Sequence, residues 1–335
     1  MIFLILALST EAFAQIYADV TLSGGVTGTF TINLQYQKAP AAVANFIGLA
    51  TGKKGWIDQN TGSLRNDPFY NGVIFHRVIA GFVSQTGSRN GTGTDGPGYT
   101  FHNEIDPTLT HATPYTVAMA NSGGAYTNGS QWYVTANSNQ SSLDGSYTIF
   151  GEVTSGTAVC NTLNNVPTSG SLGSPADQPL TPVMISSITV YGPSLASFNL
   201  NQNALPKVLS ARPIMKVNGA AYSLGYDHNS FSYYYGYHSP DLTTWTNFQS
   251  NYSHTTAPTA GDLDVTTLSV GSKHFFKMAR VDYGLCYNPF VLNSLAGKTI
   301  HFGAPLGGTF FLNASSTVGI WAFDGLGRAN ALKFK

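Results

Sequence analysis

Short β-rich runs recur over the first 191 residues of the sequence, and this pattern constrains the fold more than any other feature. Runs of Val, Ile, Thr, Tyr and Phe that are bounded by Gly, Pro, Asn and Ser are typical of strands. Such runs lie at residues 18–22, 27–34, 73–76, 82–85, 116–120, 131–136, 148–153 and 184–191. The first two are joined by Ser23, Gly24 and Gly25, which predicts a hairpin.

Only two segments among these strands have a helical pattern. Pro40 stands where a helix can begin, Gly52 stands where it can end, and between them apolar residues recur at helical spacing: Val43, Phe46, Ile47 and Ala50. A shorter helix is predicted over residues 155–164, with Val159 and Leu163 facing inward. Many strands with two helices predict a mainly β fold, a closed antiparallel barrel capped by two helices.

The 335 residues suit two domains of ordinary size. The charge balance changes near residue 193, from 6 basic and 9 acidic residues over 15–193 to 10 basic and 6 acidic residues afterwards. We therefore predict a barrel domain at 15–192, a linker at 193–206 and a second β-rich domain at 207–335. Strand-like runs at 269–281, 295–300, 308–312 and 331–334 predict a sandwich or small barrel for the second domain.

Charge and cysteine content exclude several classes of function. Charged residues make up 10% of the chain and the formal net charge is zero, whereas a protein that binds along the phosphate backbone of a nucleic acid needs a basic surface. We therefore predict no nucleic-acid partner. Two cysteines, Cys160 and Cys286, are too few for a multi-cysteine metal site. Two separate thiols are the favoured interpretation, and a disulfide between them stays open because sequence cannot show whether their Cα atoms are close.

The first residues resemble a targeting segment. An apolar run at residues 2–8 is followed by Ala12, Phe13 and Ala14, a small-x-small cleavage pattern. The run is too short to span a bilayer, and no Lys or Arg precedes it. We predict a signal peptide at 1–14 and export to the periplasm or the cell surface, with no membrane span after cleavage. A buried N-terminal strand is the alternative.

Three ordered blocks carry the chemistry of the first domain. They are YNGVIFHRVIAGFVSQ at 70–85, VAMAN followed by TNGSQWY at 117–121 and 127–133, and LDGSYTIFGEV at 143–153. Together they resemble the cyclophilin family of peptidyl-prolyl cis-trans isomerases over residues 17–190. The resemblance implies an eight-stranded antiparallel barrel with two helices, which agrees with the strand count. It also implies an enzyme that rotates Xaa-Pro bonds of proline-containing polypeptides without a metal or cofactor.

The resemblance also implies a role for individual residues. Arg77 matches the catalytic arginine, and Gln85 matches the glutamine that orients it and contacts the substrate backbone. Asn121 and Ala120 match the strand edge that holds the substrate by main-chain hydrogen bonds. The remaining matches form the proline pocket: Phe82, Val83, Tyr133, Leu143 and Tyr147.

Four positions depart from residues that are common in the family. Val83 stands where Met is common, Tyr133 where Phe is common, Ser142 where Trp is common and Tyr147 where His is common. The absent indole at Ser142 predicts weak cyclosporin binding, while proline isomerisation is expected to survive. His76 is predicted to be a packed, hydrogen-bonded structural residue, because amide rotation needs no general base.

The second domain leaves its function open. Residues 222–237 are rich in tyrosine, and such side chains could stack on a glycan or contact a protein partner. Ordinary surface aromatics of a β-sheet are the alternative. Two other hypotheses for the function of the whole chain stay open. One is a catalytically weak cyclophilin fold that serves as a binding or chaperone module, and the other is a surface adhesin that binds glycans.

Overall fold

The computed structural model describes residues 15–202, 205–211, 214–218, 221–226, 232–253, 261–265, 275–283, 290–291, 299–302, 308–311, 320–323 and 329–331. The predicted signal peptide, Cys286 and residues 269–274 lie outside this set. In the part of the chain that is described, no helix has the length and apolar character needed to cross a membrane.

A single eight-stranded antiparallel sheet dominates the first domain, as predicted. The strands before residue 192 are β1 (Tyr17–Gly24), β2 (Gly28–Leu34), β3 (Trp56–Asp58), β4 (Ser63–Arg65), β5 (Arg77–Ile79), β6 (Val83–Thr86), β7 (Thr116–Met119), β8 (Trp132–Thr135), β9 (Ile149–Ser155) and β10 (Val183–Tyr191). The order in the sheet is β10-β1-β2-β9-β7-β8-β6-β5, and β3 pairs with β4 as a separate hairpin.

The two ends of this sheet meet through the segment that precedes β5. The Ile185 N–H donates to the Val73 carbonyl at 2.9 Å, and the Phe75 N–H donates to the Val183 carbonyl at 2.9 Å. This segment was predicted as a strand at 73–76, which is wrong in position. It forms a single bridge, between Ile74 and Met184, and the strand itself begins at Arg77.

Two helices accompany the sheet, α1 (Pro40–Thr51) and α2 (Thr157–Asn164). Pro40 occupies the first turn of α1, where its missing N–H costs nothing, and Gly52 ends the helix with a φ of 70°. Residues 41–50 are all buried, so α1 runs through the core. The second helix begins two residues later than predicted, because Ser155 still belongs to β9 and Gly156 makes the turn at a φ of 76°.

The core of the barrel domain is built around aromatic rings. Phe46 of α1 lies 5.6 Å from Tyr70, 5.7 Å from Trp132 and 5.2 Å from Phe150, centroid to centroid. All four rings are at most 1% exposed. Leu205, which lies in the predicted linker, is buried against the same core. Cys160 of α2 is a buried free thiol.

The C-terminal region is β-rich, as predicted. Its strands are β11 (Lys207–Ala211), β12 (Ile214–Asn218), β13 (Ala221–Tyr226), β14 (Ser232–Ser239), β15 (Thr246–Ser253), β16 (Gly261–Asp264), β17 (Phe275–Asp282), β18 (Phe290–Val291), β19 (Thr299–Phe302), β20 (Gly308–Phe311), β21 (Ile320–Phe323) and β22 (Ala329–Ala331). The largest sheet has the order β11-β17-β14-β15, and a second has the order β12-β13-β16. The assignment to a sandwich or small barrel stays a prediction, as do the domain boundaries.

Candidate active site

One row of paired residues crosses five strands of the barrel sheet. Arg77 on β5 pairs with Gln85 on β6, and Gln85 pairs with Tyr133 on β8. Tyr133 pairs with Ala118 on β7, which pairs with Ile149 on β9. Directly paired residues of an antiparallel sheet point to the same face. The register therefore brings the predicted catalytic arginine and glutamine onto the same face as the predicted pocket tyrosine.

The opposite face of these strands belongs to the core. Val78, Val117 and Val134 are neighbours of the row in sequence, and all three are buried in the main hydrophobic core. Successive side chains of a strand alternate between faces. Because the core fixes which face points inward, it also fixes that Arg77, Gln85 and Tyr133 point outward.

One apolar cluster, named here the apolar pocket, lies on this face and includes Tyr133, Ala118 and Ile149 of the row. Four of its residues are buried and five more are half-buried. All five residues that the sequence predicted for the proline pocket are members: Phe82, Val83, Tyr133, Leu143 and Tyr147. The other members are Ala120, which was predicted for the substrate-binding strand edge, and Leu109, Ala118 and Ile149. Ala118 and Ile149 could have been found from strand alternation in the second and third blocks, whereas nothing local indicates Leu109.

Arg77 keeps an accessible guanidinium. Its side chain is 40% exposed, and its Nε lies 3.9 Å from Oδ2 of Asp177, which is beyond hydrogen-bond distance. No hydrogen bond within the described residues engages the guanidinium. The Val78 N–H donates to the Asp177 carbonyl at 2.8 Å, which anchors this carboxylate beside β5. Asp177 was not predicted, because it lies 100 residues further along the chain in an irregular loop.

Gln85 belongs to a chain of amide hydrogen bonds. Its Nε2 donates to Oε1 of Gln131 at 3.0 Å. Gln131 in turn donates from Nε2 to the carbonyls of Gly93 and Asp95, both at 2.9 Å. Gln131 therefore couples Gln85 to the loop at 93–95. It stands inside the second sequence block, two residues before Tyr133 and on the same face, so alternation could have identified it.

Asn121 uses its side chain to shape its own loop. Its Nδ2 donates to the Ser146 carbonyl at 2.9 Å, and its Oδ1 accepts from the Gly123 N–H at 3.0 Å. Within the described residues its main-chain N–H and carbonyl make no hydrogen bond. The neighbouring Ala120 N–H donates to the Gln131 carbonyl at 2.9 Å. The main chain at Asn121 is thus held beside the pocket with polar groups available to a bound polypeptide.

The Tyr133 hydroxyl is the inner end of a polar chain that begins at the exposed Asp144 and passes through the buried His111. It lies 3.0 Å from Nε2 of His111, whose Nδ1 lies 2.8 Å from Oδ1 of Asp144. Burial lowers the pKa of His111 despite the nearby carboxylate. The ring is therefore neutral at pH 7, and we assign the proton to Nδ1, facing Asp144, so that the tyrosine hydroxyl donates to Nε2. The hydroxyl that Tyr133 adds, at a position where phenylalanine is common in the family, therefore has a hydrogen-bond partner within the fold.

Tyr133→Phe is expected to lower the free energy of unfolding by about 1–3 kcal/mol, because the buried Nε2 of His111 loses its donor. The aromatic ring stays in the pocket, so peptide binding is expected to persist. Urea unfolding measures the stability change. Tyr147→Phe is the matched control, since its ring contacts Tyr133 but its hydroxyl has no hydrogen bond among the described residues. Equal losses in the two variants would contradict the assignment.

His76 is buried, as predicted, but its hydrogen bonding differs from the prediction. Its side chain is 5% exposed, and Nδ1 has no hydrogen-bond partner among the described residues. Burial is the main cause that lowers its pKa to about 4, and the adjacent Arg77 acts in the same direction. His76 is thus a neutral packing residue beneath the site at physiological pH.

The pKa of His76 predicts acid sensitivity. The folded protein resists protonation down to about pH 4, whereas an unfolded histidine takes up a proton below about pH 6.5. The free energy of unfolding therefore includes the full contribution of neutral His76 above pH 6.5. As the pH drops towards 4, this group lowers the free energy of unfolding by about 3 kcal/mol. Urea unfolding of the wild type and of His76→Gln across this range checks the expectation. An identical pH dependence in both proteins would refute it.

The described residues contain no group of three or more His, Cys, Asp and Glu side chains placed to hold a metal ion. The groups that the site does present are a guanidinium, three carboxamides, open main-chain polar groups and an apolar pocket. Such a set can bind an extended polypeptide and stabilise charge on it.

Comparison with known proteins gives consistent matches over the first domain. The sequence model of the family described as cyclophilin type peptidyl-prolyl cis-trans isomerase/CLD matches residues 17–190. Peptidyl-prolyl cis-trans isomerase B of Streptomyces anulatus is 42% identical over 178 residues, which are 52% of this chain and 97% of that protein. Peptidyl-prolyl cis-trans isomerase A of Mycobacterium tuberculosis (strain ATCC 25618 / H37Rv) is 43% identical over 165 residues, 49% of this chain and 87% of that protein.

Among solved structures, a cyclophilin type peptidyl-prolyl cis-trans isomerase of Cryptosporidium parvum is 28% identical, with a TM-score of 0.45. The match covers 53% of this chain and 98% of that one.

Proposed function

Because this chain belongs to the cyclophilin-type family of peptidyl-prolyl cis-trans isomerases, and is therefore an isomerase of Xaa-Pro bonds, we propose that Arg77 supplies its catalytic charge. The bond to proline rotates over a barrier of roughly 18–20 kcal/mol, because rotation breaks amide resonance. At the top of the barrier the prolyl nitrogen regains a lone pair. A guanidinium directed at that nitrogen stabilises the twisted amide more than either planar form, which is what accelerates rotation.

The apolar pocket, Asn121 and Gln85 hold the substrate in position beside Arg77. The apolar pocket takes the proline ring, with Phe82, Val83 and Leu143 among its walls. The main-chain groups of Asn121 bind the substrate backbone, as does the carboxamide of Gln85. No covalent intermediate forms in this mechanism, since rotation makes and breaks no bond.

The observation that carries this mechanism is the strand register that aligns Arg77, Gln85 and Tyr133 on one outward face. A proline-containing reporter peptide tests it. The full chain is expected to accelerate cis-trans exchange, measured by NMR exchange spectroscopy or a coupled protease assay. Binding of the peptide without acceleration would favour the alternative, a catalytically weak binding or chaperone module.

The place of action is proposed from the N-terminal sequence. The apolar run at 2–8 and the small residues Ala12 and Ala14 support a signal peptide that directs the chain out of the cytoplasm. Its substrates are then exported proteins whose folding rate is limited by proline isomerisation. Expression with a C-terminal tag, followed by fractionation and N-terminal sequencing, tests this proposal. A chain recovered uncleaved in the cytoplasm would contradict it.

A further inference from the structure

The C-terminal sheet, which consists of β11, β17, β14 and β15, is bonded to one segment of the barrel domain, the loop at 93–100. The hydroxyl of Tyr235, on β14, donates to the Gly98 carbonyl at 3.0 Å. The Thr100 N–H donates at 3.4 Å to the hydroxyl of Tyr283, which directly follows β17. Two tyrosine hydroxyls of the C-terminal sheet therefore hold the main chain of this loop.

Apolar packing and the β3–β4 hairpin hold the same loop. Ile57 and Tyr99 of the barrel domain share one apolar cluster with Val281 of β17, and all three side chains are at most 3% exposed. The Ile57 N–H also donates to the Pro97 carbonyl at 3.0 Å. The loop is thus fixed between the hairpin on one side and the C-terminal sheet on the other.

Carbonyls of this loop determine the orientation of the Gln131 carboxamide. A carboxamide has two donors on its nitrogen and an acceptor oxygen. The Nε2 of Gln131 donates to the carbonyls of Gly93 and Asp95, so its Oε1 is the atom that faces Gln85. A flipped Gln131 would set its oxygen against two carbonyl oxygens and lose both bonds. The position of the loop therefore selects one of two orientations for Gln131.

The orientation of Gln131 in turn determines that of Gln85. Because Gln131 presents an acceptor, Gln85 directs its Nε2 towards it at 3.0 Å. The Oε1 of Gln85 accepts no hydrogen bond within the described part of the chain. This oxygen and the second N–H of Nε2 are thus available to a substrate main chain in one fixed order. A flip of Gln131 would reverse that order.

We propose that Tyr235 and Tyr283 are positioning residues for the substrate site. Their hydroxyls fix the loop at 93–100, and the loop carbonyls orient Gln131 and, through it, the carboxamide of Gln85. The two orientations of Gln131 are the two-state element that such coupling requires. The C-terminal sheet thereby strengthens substrate binding without touching the substrate. This inference rests on the proposed function, because it takes Gln85 as a residue that binds the substrate backbone.

Peptide binding to the full chain tests the proposal. Tyr235→Phe combined with Tyr283→Phe removes both hydroxyls and keeps both rings, so the apolar packing is retained. We expect the dissociation constant of a fluorescently labelled proline-containing peptide, measured by anisotropy, to rise about fivefold. The kcat value is expected to stay nearly unchanged, because Gln85 binds the substrate backbone in the planar and twisted states alike. Each single variant is expected to show part of the loss.

Tyr233→Phe is the matched control. The Tyr233 ring lies 4.7 Å from that of Tyr235 and packs in the same cluster, whereas the two hydroxyl bonds to the loop come from Tyr235 and Tyr283. This variant should bind the peptide as the wild type does. In a Gln131→Ala background, the two other tyrosine substitutions should weaken binding no further. A loss of affinity that persists there would mean that the tyrosines contact the peptide directly, and would overturn the proposal.

The side-chain amide signals of Gln85 and Gln131 in NMR spectra of the peptide-free protein provide a readout that needs no turnover. They should shift or broaden in the double phenylalanine variant and stay in place in Tyr233→Phe. Unchanged glutamine signals or an unchanged peptide affinity in the double variant would refute the proposal. If the wild type binds the peptide without isomerising it, the proposed mechanism fails, while these signals and affinities still decide whether the C-terminal sheet positions Gln85.

Discussion

Arg77→Ala is expected to reduce kcat/KM for a proline-containing peptide by roughly 10²–10³-fold, the usual effect of removing one donor that stabilises transition-state charge. Peptide affinity should change far less, because the apolar pocket and the Asn121 main chain remain. Arg77→Lys keeps the charge but loses the rigid planar fork, so an intermediate activity is expected. NMR exchange rates at saturating peptide, combined with binding constants, separate the two effects.

Arg65→Ala is the matched control for this prediction. Arg65 is 41% exposed, nearly the same as Arg77, but its guanidinium is bound to Asp67 at 2.6 Å. Its loss should leave kcat/KM unchanged. An Arg77→Ala variant that isomerises the peptide as fast as Arg65→Ala would remove the charge-stabilisation mechanism. A loss confined to peptide affinity would make Arg77 a binding residue instead.

Phe46→Ala is expected to lower the free energy of unfolding by about 3–5 kcal/mol, the range for deleting a buried aromatic ring. Phe46 is 0% exposed and contacts the rings of Tyr70, Trp132 and Phe150. The cavity left by the ring would lie directly beneath β8, the strand that carries Tyr133. We therefore expect the variant to unfold at lower urea concentration.

The control for Phe46→Ala is Leu172→Ala, since Leu172 is fully exposed. Its stability should stay within about 0.5 kcal/mol of the wild type. Urea unfolding followed by tryptophan fluorescence measures both variants. If Phe46→Ala proved no more destabilising than Leu172→Ala, the aromatic cluster would not be the centre of the core.

Local patterns predicted those parts of the fold that depend on local chemistry. The Pro40 start and Gly52 end of α1 follow from backbone preferences, and the β1–β2 hairpin follows from its turn residues. The predicted strand at 73–76 lies in the wrong place because its main chain makes a single bridge, to β10, while the apolar side chains of Val73 and Phe75 are buried. That bridge joins segments more than 100 residues apart, so no local sequence pattern could have indicated it.

The residues of the candidate site likewise fall into those that the sequence indicated and those that only tertiary contacts bring together. The resemblance of three sequence blocks identified Arg77, Gln85 and the pocket residues, and strand alternation could have added Gln131. Asp177 and the His111–Asp144 pair depend on contacts between distant loops, which only the folded chain brings together. The tyrosines of the second domain were noticed in the sequence, but their position against the barrel depends on how two domains pack.

The bridge between β10 and residues 73–75 bears on the timing of folding during synthesis. β10 pairs with β1 on one side and meets the segment ahead of β5 on the other, yet it is the last strand of the barrel to leave the ribosome. A nascent chain that ends before residue 183 would leave two unpaired strand edges open to other chains. The enzyme thus becomes competent late in its own translation, shortly before its tyrosine-bearing sheet emerges.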